Sequence, residues 1–204
     1  MKNMKFAAAG IAVCLSLALT ACSAAEIEFV HSTADANGKY TCEILGIGAD
    51  FDTGIWTFYT DAEIASANGA ASASNEDLKA ALKKNAAIQD MVAIQDSGIN
   101  VMIIYEDTNA SKIGNVSEEL YLNASKDQLE SQFSAFMEDV SSEIISVTVA
   151  GESHSALDVS GKSYGETVYG RYICIRKSNL MGIISINAFS KAEINEITSM
   201  FYSL

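Results

Sequence analysis

The chain has 204 residues, a formal net charge of −13 and no proline. So acidic a balance repels phosphate backbones and anionic headgroups, and the sequence shows no basic stripe, so we expect no nucleic-acid partner. The absence of proline and of any repeat at a fixed period excludes collagen-like, solenoid and proline-rich linker structures.

The amino-terminal end carries the clearest pattern in the sequence. Lys2 and Lys5 precede an apolar run over residues 6–18, which is too short for a stable membrane span and is typical of an export signal. The run leads into LTAC at residues 19–22, a sequence that resembles the lipobox of bacterial lipoproteins. The resemblance implies cleavage before Cys22, a diacylglyceryl group and palmitate on that residue, and anchoring on the outer side of the cell membrane. An ordinary secretory signal with an incidental Cys22 is the alternative.

This pattern predicts three regions. We expect a signal peptide over residues 1–21, a lipid-anchored tether over residues 22–38 and a single domain over residues 39–204, a length that suits one hydrophobic core. The lipid would hold the chain at the membrane by itself, because the two acyl chains of a diacylglyceryl group anchor a protein durably.

The chain has four cysteines, of which Cys14 leaves with the signal and Cys22 takes the lipid. Cys42 and Cys174 remain in apolar, alternating stretches. A disulfide between them is one alternative, since exported proteins form such bridges, and two buried thiols are the other. The sequence has no Cys-x-x-Cys motif or Cys/His cluster, so we expect neither a metal nor a cofactor.

Turn and capping signals divide the first half of the domain into hairpins and helices. Strands over residues 40–45 and 56–59 are expected to pair as a hairpin. Asp61 is expected to cap a helix over residues 62–68, and Asn75 is expected to open a second helix. A second hairpin is expected over residues 91–106. The apolar run at residues 101–105 predicts a central strand that is covered on both faces.

The second half repeats this pattern. Ser117 should cap a long amphipathic helix, two hairpins should follow over residues 144–159 and 166–189, and Ser190 should cap a terminal helix that includes Phe201 and Tyr202. The predicted class is therefore α+β, with an antiparallel sheet of about six to eight strands built from hairpins and flanked by helices.

Several segments also resemble the PsbP-like lipoproteins of anaerobic Gram-positive bacteria. The segments that carry this resemblance are residues 37–40, 45–48, 56–64, 90–91 and a helix containing Tyr121 and Leu122. The resemblance implies an α/β/α sandwich around an antiparallel sheet and a non-enzymatic module that docks on other macromolecules.

Candidate catalytic and metal-binding motifs are weak. Residues 161–165, with sequence GKSYG, match the Gly-x-Ser-x-Gly nucleophile elbow, but a strand is expected after Ser163 where the elbow requires a helix, and both histidines precede it.

Asp50-x-Asp52-x-Gly54 begins like a calcium loop but lacks its distant glutamate, which favours a plain turn. His154 is expected to face solvent. Trp56 and the tyrosines are expected to be core or rim residues, with a carbohydrate or peptide groove as the alternative.

We therefore expect no catalytic residue, and Cys22 is the expected lipidation site. The leading hypothesis is a membrane-anchored, extracytoplasmic scaffolding or binding module for an envelope protein. The alternative is a small-ligand-binding subunit associated with a transporter, although about 165 residues are few for a two-lobed clamshell.

Overall fold

The computed structural model describes residues 28–109 and 116–204. These residues form eleven strands and four helices. The strands are β1 (Thr33–Ala34), β2 (Lys39–Cys42), β3 (Ile47–Asp50), β4 (Trp56–Phe58), β5 (Ala87–Gln95), β6 (Asn100–Asp107), β7 (Glu138–Val149), β8 (Glu152–Ser163), β9 (Glu166–Lys177), β10 (Leu180–Ala188) and β11 (Phe201–Ser203). The helices are α1 (Asp61–Asn68), α2 (Asn75–Asn85), α3 (Glu118–Ser134) and α4 (Lys191–Ser199).

Two antiparallel sheets make up the β structure. The large sheet has seven strands in the order β4-β5-β6-β10-β9-β8-β7, and the small sheet has four in the order β1-β2-β3-β11. The α+β class and the hairpin-built sheet of six to eight strands are thus confirmed. The small sheet was not predicted.

The large sheet is covered on both faces. Side chains alternate between the faces of a strand, so Met102 and Ile104 of β6 face α3, whereas Ile103 and Tyr105 face the small sheet. Every residue of β6 from Asn100 to Glu106 is buried. The apolar run of this strand therefore does mark a central strand, as expected.

A buried arginine holds helix α4 on the large sheet, on the face opposite α3. Arg171 of β9 donates from Nε and Nη2 to the two carboxylate oxygens of Asp158, at 2.7 and 2.8 Å. Its Nη1 donates to Asn195 Oδ1 of α4 at 2.9 Å, and also to Thr198 Oγ1. This bidentate pairing satisfies a guanidinium that is only 7% exposed. Helices consequently flank the large sheet on both sides.

Four hydroxyl side chains begin the four helices. Thr60, Ser74, Ser117 and Ser190 each accept a hydrogen bond from the backbone N–H three residues later. At Thr60 the Glu63 side chain also accepts from the Thr60 backbone, which completes a capping box. Ser117 and Ser190 cap α3 and α4, as expected. Helices α1 and α2 are capped by the residues just before Asp61 and Asn75, which are Thr60 and Ser74.

The first predicted hairpin is wrong. β2 pairs with β3 and not with the strand at residues 56–59, which pairs with β5 in the large sheet. Gly46 adopts a positive φ of 72° and lets the chain turn back immediately after β2. The crossing between the sheets is stabilised by Phe51, whose ring packs edge-on against those of Trp56 and Phe58.

The expected terminal helix also ends early. Phe201 and Tyr202 lie in β11, which pairs with β3, and the Tyr202 ring covers Gly48. Phe201 is buried against Phe51 in this position. Tertiary burial in the small sheet therefore outweighs the helical spacing of these two aromatic residues.

The fold begins before the predicted domain boundary at residue 39. Phe29 is buried and packs edge-on against Tyr105 of β6, and β1 pairs with β2. The last part of the segment expected to be a tether over residues 22–38 is therefore part of the domain. The predicted signal peptide and Cys22 lie outside the described residues.

The small sheet makes a close contact with the large sheet at Gly182 of β10. A Cβ added at Gly182 of β10 would collide with both methyl groups of Leu45, in the β2–β3 turn. Leu45 is buried in this position. Only a residue without a side chain allows the turn to lie this close to the central strand.

We expect Gly182→Ala to destabilise the protein by about 1–3 kcal/mol, because overpacking forces the Leu45 turn away from the sheet. Urea unfolding followed by circular dichroism measures the change. The double variant Gly182→Ala with Leu45→Ala should lose less than the sum of the two single variants. An unchanged urea midpoint for Gly182→Ala would contradict this packing.

Candidate functional site

A cavity of about 250 Å³ lies between α3 and the large sheet. Its walls come from the end of α3 and the chain just after it, and from strands β6, β8, β9 and β10. The main apolar side chains that line it are Met102, Ile104, Phe133, Met137, Val159 and Val168. A concave, apolar space with a few polar groups is the usual form of a small-molecule site.

The cavity opens at the end of the sheet where α3 ends and β6 begins. Phe136, which lines this end, is 54% exposed, and Gly98 of the β5–β6 turn lies there too. Ser163, also in the lining, precedes the β8–β9 turn, whose Tyr164 is 88% exposed. One aromatic side chain of the lining, Phe136, thus reaches into solvent, and the exposed Tyr164 directly follows the lining residue Ser163.

The floor of the cavity carries a buried hydroxyl. Ser185 of β10 is fully buried, and its Oγ has no hydrogen-bond partner of normal geometry in the described part of the chain. The Tyr172 side chain from β9 lies beside it. Burial raises the pKa of Tyr172 far above its ordinary value, and the nearby Ser185 hydroxyl opposes this in part. Tyr172 is therefore a neutral hydroxyl at physiological pH.

Closer to the mouth the lining includes an amide pair. Asn187 Nδ2 donates to Asn100 Oδ1 at 3.0 Å, and Asn100 Nδ2 donates to the Gly98 carbonyl at 3.2 Å. The polar groups of the cavity are thus hydroxyls and amides. Among the described residues, no charged side chain lines it.

Glu118, in the first turn of α3, holds this helix on the large sheet through hydrogen bonds to β8 and β9. Its Oε1 accepts from His154 Nδ1 at 3.0 Å and from the Arg176 backbone N–H at 3.1 Å, while Oε2 accepts from the Ser155 N–H at 3.0 Å. Burial opposes ionisation of this carboxyl, but the bonds from His154, Ser155 and Arg176 outweigh it and lower the pKa of Glu118. The expectation that His154 faces solvent is wrong, because its side chain is only 9% exposed.

A second polar contact holds α3 one turn further along. The Tyr121 hydroxyl donates to Glu106 Oε2 at 2.7 Å, and both residues are buried. Burial and then the Glu106 charge raise the pKa of Tyr121 well above its usual value. The amino-terminal half of α3 is thus fixed by hydrogen bonds, whereas its carboxy-terminal end covers the cavity with apolar side chains.

The Gly-x-Ser-x-Gly segment forms a β-hairpin. Ser163 ends β8, and Tyr164 and Gly165 turn the chain with φ values of 53° and 86° before β9 begins. A strand follows the serine, as expected, so the strand-to-helix geometry of a nucleophile elbow is not formed. Asp52 accepts from the Gly54 N–H at 2.8 Å, which is the turn predicted there.

Cys42 and Cys174 are both buried and free. Cys42 lies 2.8 Å from the Tyr105 hydroxyl, on the face of the large sheet that meets the small sheet. Cys174 lines a small space beneath α3 on the other face. The disulfide that the sequence left open is therefore not formed, because the sheet separates the two sulfur atoms.

A polar pair stabilises the start of the fold on the face away from α3. His31 Nδ1 lies 2.7 Å from Asp90 Oδ1, and Asp90 Oδ2 accepts from the Ser32 N–H at 3.1 Å. Burial lowers the pKa of His31, but the Asp90 hydrogen bond and charge, with a smaller contribution from Asp61, raise it overall. Asp90 itself lies where the β5–β6 register shifts.

The amphipathic pattern predicts the helix that covers this space, but it does not indicate a cavity. Of Trp56 and the tyrosines, only Tyr172 lines the space, while Tyr40, Tyr105 and Tyr121 are core. The one local signal was Ser185, a hydroxyl within the otherwise apolar run at residues 183–186.

In the described ranges, no group of three or more His, Cys, Asp or Glu residues is arranged to hold a metal ion. None of the helices within residues 28–109 and 116–204 has the length and apolarity needed to cross a membrane.

The chain is similar to several solved structures. The chain is similar to cyanobacterial PsbP (CyanoP) from Synechocystis, with a TM-score of 0.46 and 11% identity over 91% of this chain and 99% of that chain. It is also similar to LpqN, involved in cell envelope biogenesis of Mycobacterium tuberculosis, with a TM-score of 0.36 and 11% identity over 55% of this chain and 70% of that chain. No family model matches the chain, and no curated protein matches it.

We expect Glu118→Gln to destabilise the protein by about 1–3 kcal/mol at pH 7, because it weakens charge-assisted bonds to α3. The folded-state pKa of Glu118 is lowered, so its contribution is present above the unfolded pKa and is lost as pH falls through the folded pKa. The difference in unfolding free energy between wild type and Glu118→Gln should therefore shrink below about pH 4.5.

Chemical denaturation from pH 3 to pH 8 measures this difference. Glu119→Gln is the matched control, because this neighbouring side chain is exposed and forms no hydrogen bond with the described strands. A difference for Glu118→Gln that stays constant over the whole range would contradict the assignment.

Proposed function

We propose that the protein is a non-enzymatic binding module, held outside the cytoplasm by a lipid on Cys22, that binds through the cavity beneath α3. The observation that carries the proposal is this cavity of about 250 Å³, which is lined by apolar side chains and ends at a buried hydroxyl. A space of this kind inside a packed core is a ligand site more often than a packing defect.

The position of the amino terminus supports attachment and binding at separate places. The described chain starts next to Phe29, which packs on Tyr105, near the carboxy-terminal end of β6 and on the face away from α3. The cavity mouth lies at the other end of β6, beside Asn100. The first described residues and the cavity mouth therefore lie toward opposite ends of β6, which supports the proposal that attachment and binding occur at separate places.

The chemistry of the cavity supports a binding role. Its polar side chains are Ser163, Ser185, Tyr172, Asn100 and Asn187, and none of these is a His, Cys or carboxylate that could act as a general base at neutral pH. The arrangement suits hydrogen bonding to a bound molecule without reacting with it.

Of the two partner classes expected from the sequence, the cavity favours the small ligand, as in a binding subunit associated with a transporter. An envelope protein is the second candidate partner, and it is favoured by the exposed Phe136 of the cavity lining and by the exposed Tyr164 of the β8–β9 turn. Exposed aromatic side chains are enriched at protein interfaces. The two candidates are compatible, since a partner could dock at the mouth and receive the ligand.

The lipid anchor is tested by Cys22→Ala in the native host. We expect wild type in the membrane fraction with incorporated palmitate, and the variant unlabelled and absent from that fraction. Cys42→Ala is the control, because this thiol is buried in the domain. Wild-type protein that is free in the medium with an unmodified Cys22 would overturn this part of the proposal.

The binding site is tested with the protein without its signal and with 4-(dimethylamino)benzonitrile, an uncharged fluorescent probe that has a single aromatic ring. We expect saturable fluorescence enhancement with wild type and at least about tenfold weaker binding to Val168→Trp, because the indole fills the cavity. Leu120→Trp is the control for introducing a tryptophan, since Leu120 is 60% exposed on α3, the helix that covers the cavity, and does not line the cavity. Absence of probe binding, or equal loss in both variants, would contradict the site.

A further inference from the structure

We infer that the cavity beneath α3 binds a small uncharged amphiphile, whose hydrogen-bonding end reaches Ser185 and whose apolar body lies against α3. This inference rests on the proposed function and names the chemical class of the ligand. It follows from the size of the cavity, from its lack of charge and from the position of one hydroxyl.

The size of the cavity limits the apolar body. At about 30 Å³ for a water-sized group, a volume of about 250 Å³ holds roughly eight such groups. A single alkyl chain of that length or one substituted aromatic ring fits, whereas a sugar oligomer or a peptide of several residues does not.

The lining excludes an ionised ligand. Neither a cation nor an anion would find a charged partner among the described lining residues, and transfer of an unpaired charge from water into an apolar space is strongly unfavourable. The net charge of −13 also repels anions at long range. A fatty acid carboxylate is therefore a poor ligand, and the corresponding alcohol is a good one.

Ser185 indicates where the polar end of the ligand lies. Its Oγ is fully buried in the middle of β10, between Met102 of β6 and Tyr172 of β9. Buried hydroxyls in folded proteins are nearly always hydrogen-bonded, so a group of this kind at a cavity wall indicates a bound partner. A ligand hydroxyl or carbonyl at Ser185 would supply that bond.

Tyr172 extends the polar spot. Its hydroxyl stays protonated, since burial raises the pKa of Tyr172, and its ring is packed against Phe133 of α3 with 5.8 Å between the centroids. The ring therefore forms part of the apolar wall, while the hydroxyl lies near Ser185. The ligand consequently meets a hydroxyl pair on the sheet side and aromatic rings on the α3 side.

The experiment uses 1-octanol and octanoate at pH 7.5 as competitors of 4-(dimethylamino)benzonitrile. These two molecules have the same chain length and differ in the charge of the head group. We expect 1-octanol to displace the probe from wild type at a concentration at least about tenfold lower than octanoate. Equal displacement by both molecules would overturn the inference.

Ser185→Ala tests the proposed contact. The variant should bind 1-octanol about threefold to tenfold more weakly, the loss of one neutral hydrogen bond, and should fold normally because it removes a buried polar group. Ser160→Ala is the matched control, since Ser160 of β8 does not line this cavity. Unchanged affinity of Ser185→Ala for 1-octanol would show that the polar end does not lie there.

The binding site and the ligand class are contradicted by different results. If wild type does not bind the probe, the proposed binding site itself is wrong. If it binds the probe and Val168→Trp abolishes binding, but octanoate competes as well as 1-octanol, only the ligand class is wrong.

Discussion

The carboxylate of Glu118 is the contact on which the site depends. It lies in the first turn of α3, where the helix dipole favours a negative charge, and it accepts three hydrogen bonds from His154, Ser155 and Arg176 on β8 and β9. The Tyr121 bond to Glu106 then fixes the next turn. Because one end of α3 is held by polar bonds, its other end can span the sheet and leave an unfilled space beneath it.

The large sheet separates two kinds of packing. On the face away from α3, the small sheet and α4 pack tightly, with Leu45 against Gly182 and Arg171 bonded to both Asp158 and α4. On the α3 face the packing is incomplete toward the carboxy-terminal end of the helix. Close packing is thus concentrated on one face of the large sheet, and the unfilled space lies on the other.

Much of the fold could be predicted because its signals are local. The hairpin at Ser178 and Asn179 and the caps at Ser117 and Ser190 each depend on a few adjacent residues. The β2–β3 pair and β11 were not predictable in this way. Their strands are short, and their positions depend on burial of Phe51 and Phe201 against residues that are distant in the chain.

By itself, the sequence determined the α+β class, the hairpin-built sheet and the central position of β6, because periodicity and turn chemistry act over short distances. The tertiary structure alone decided that Cys42 and Cys174 lie on opposite sides of the sheet, that His154 pairs with Glu118, and that a cavity exists. A cavity is the space left between elements whose side chains do not fill it. It depends on the distance between α3 and four strands, and no local pattern of residues predicts that distance.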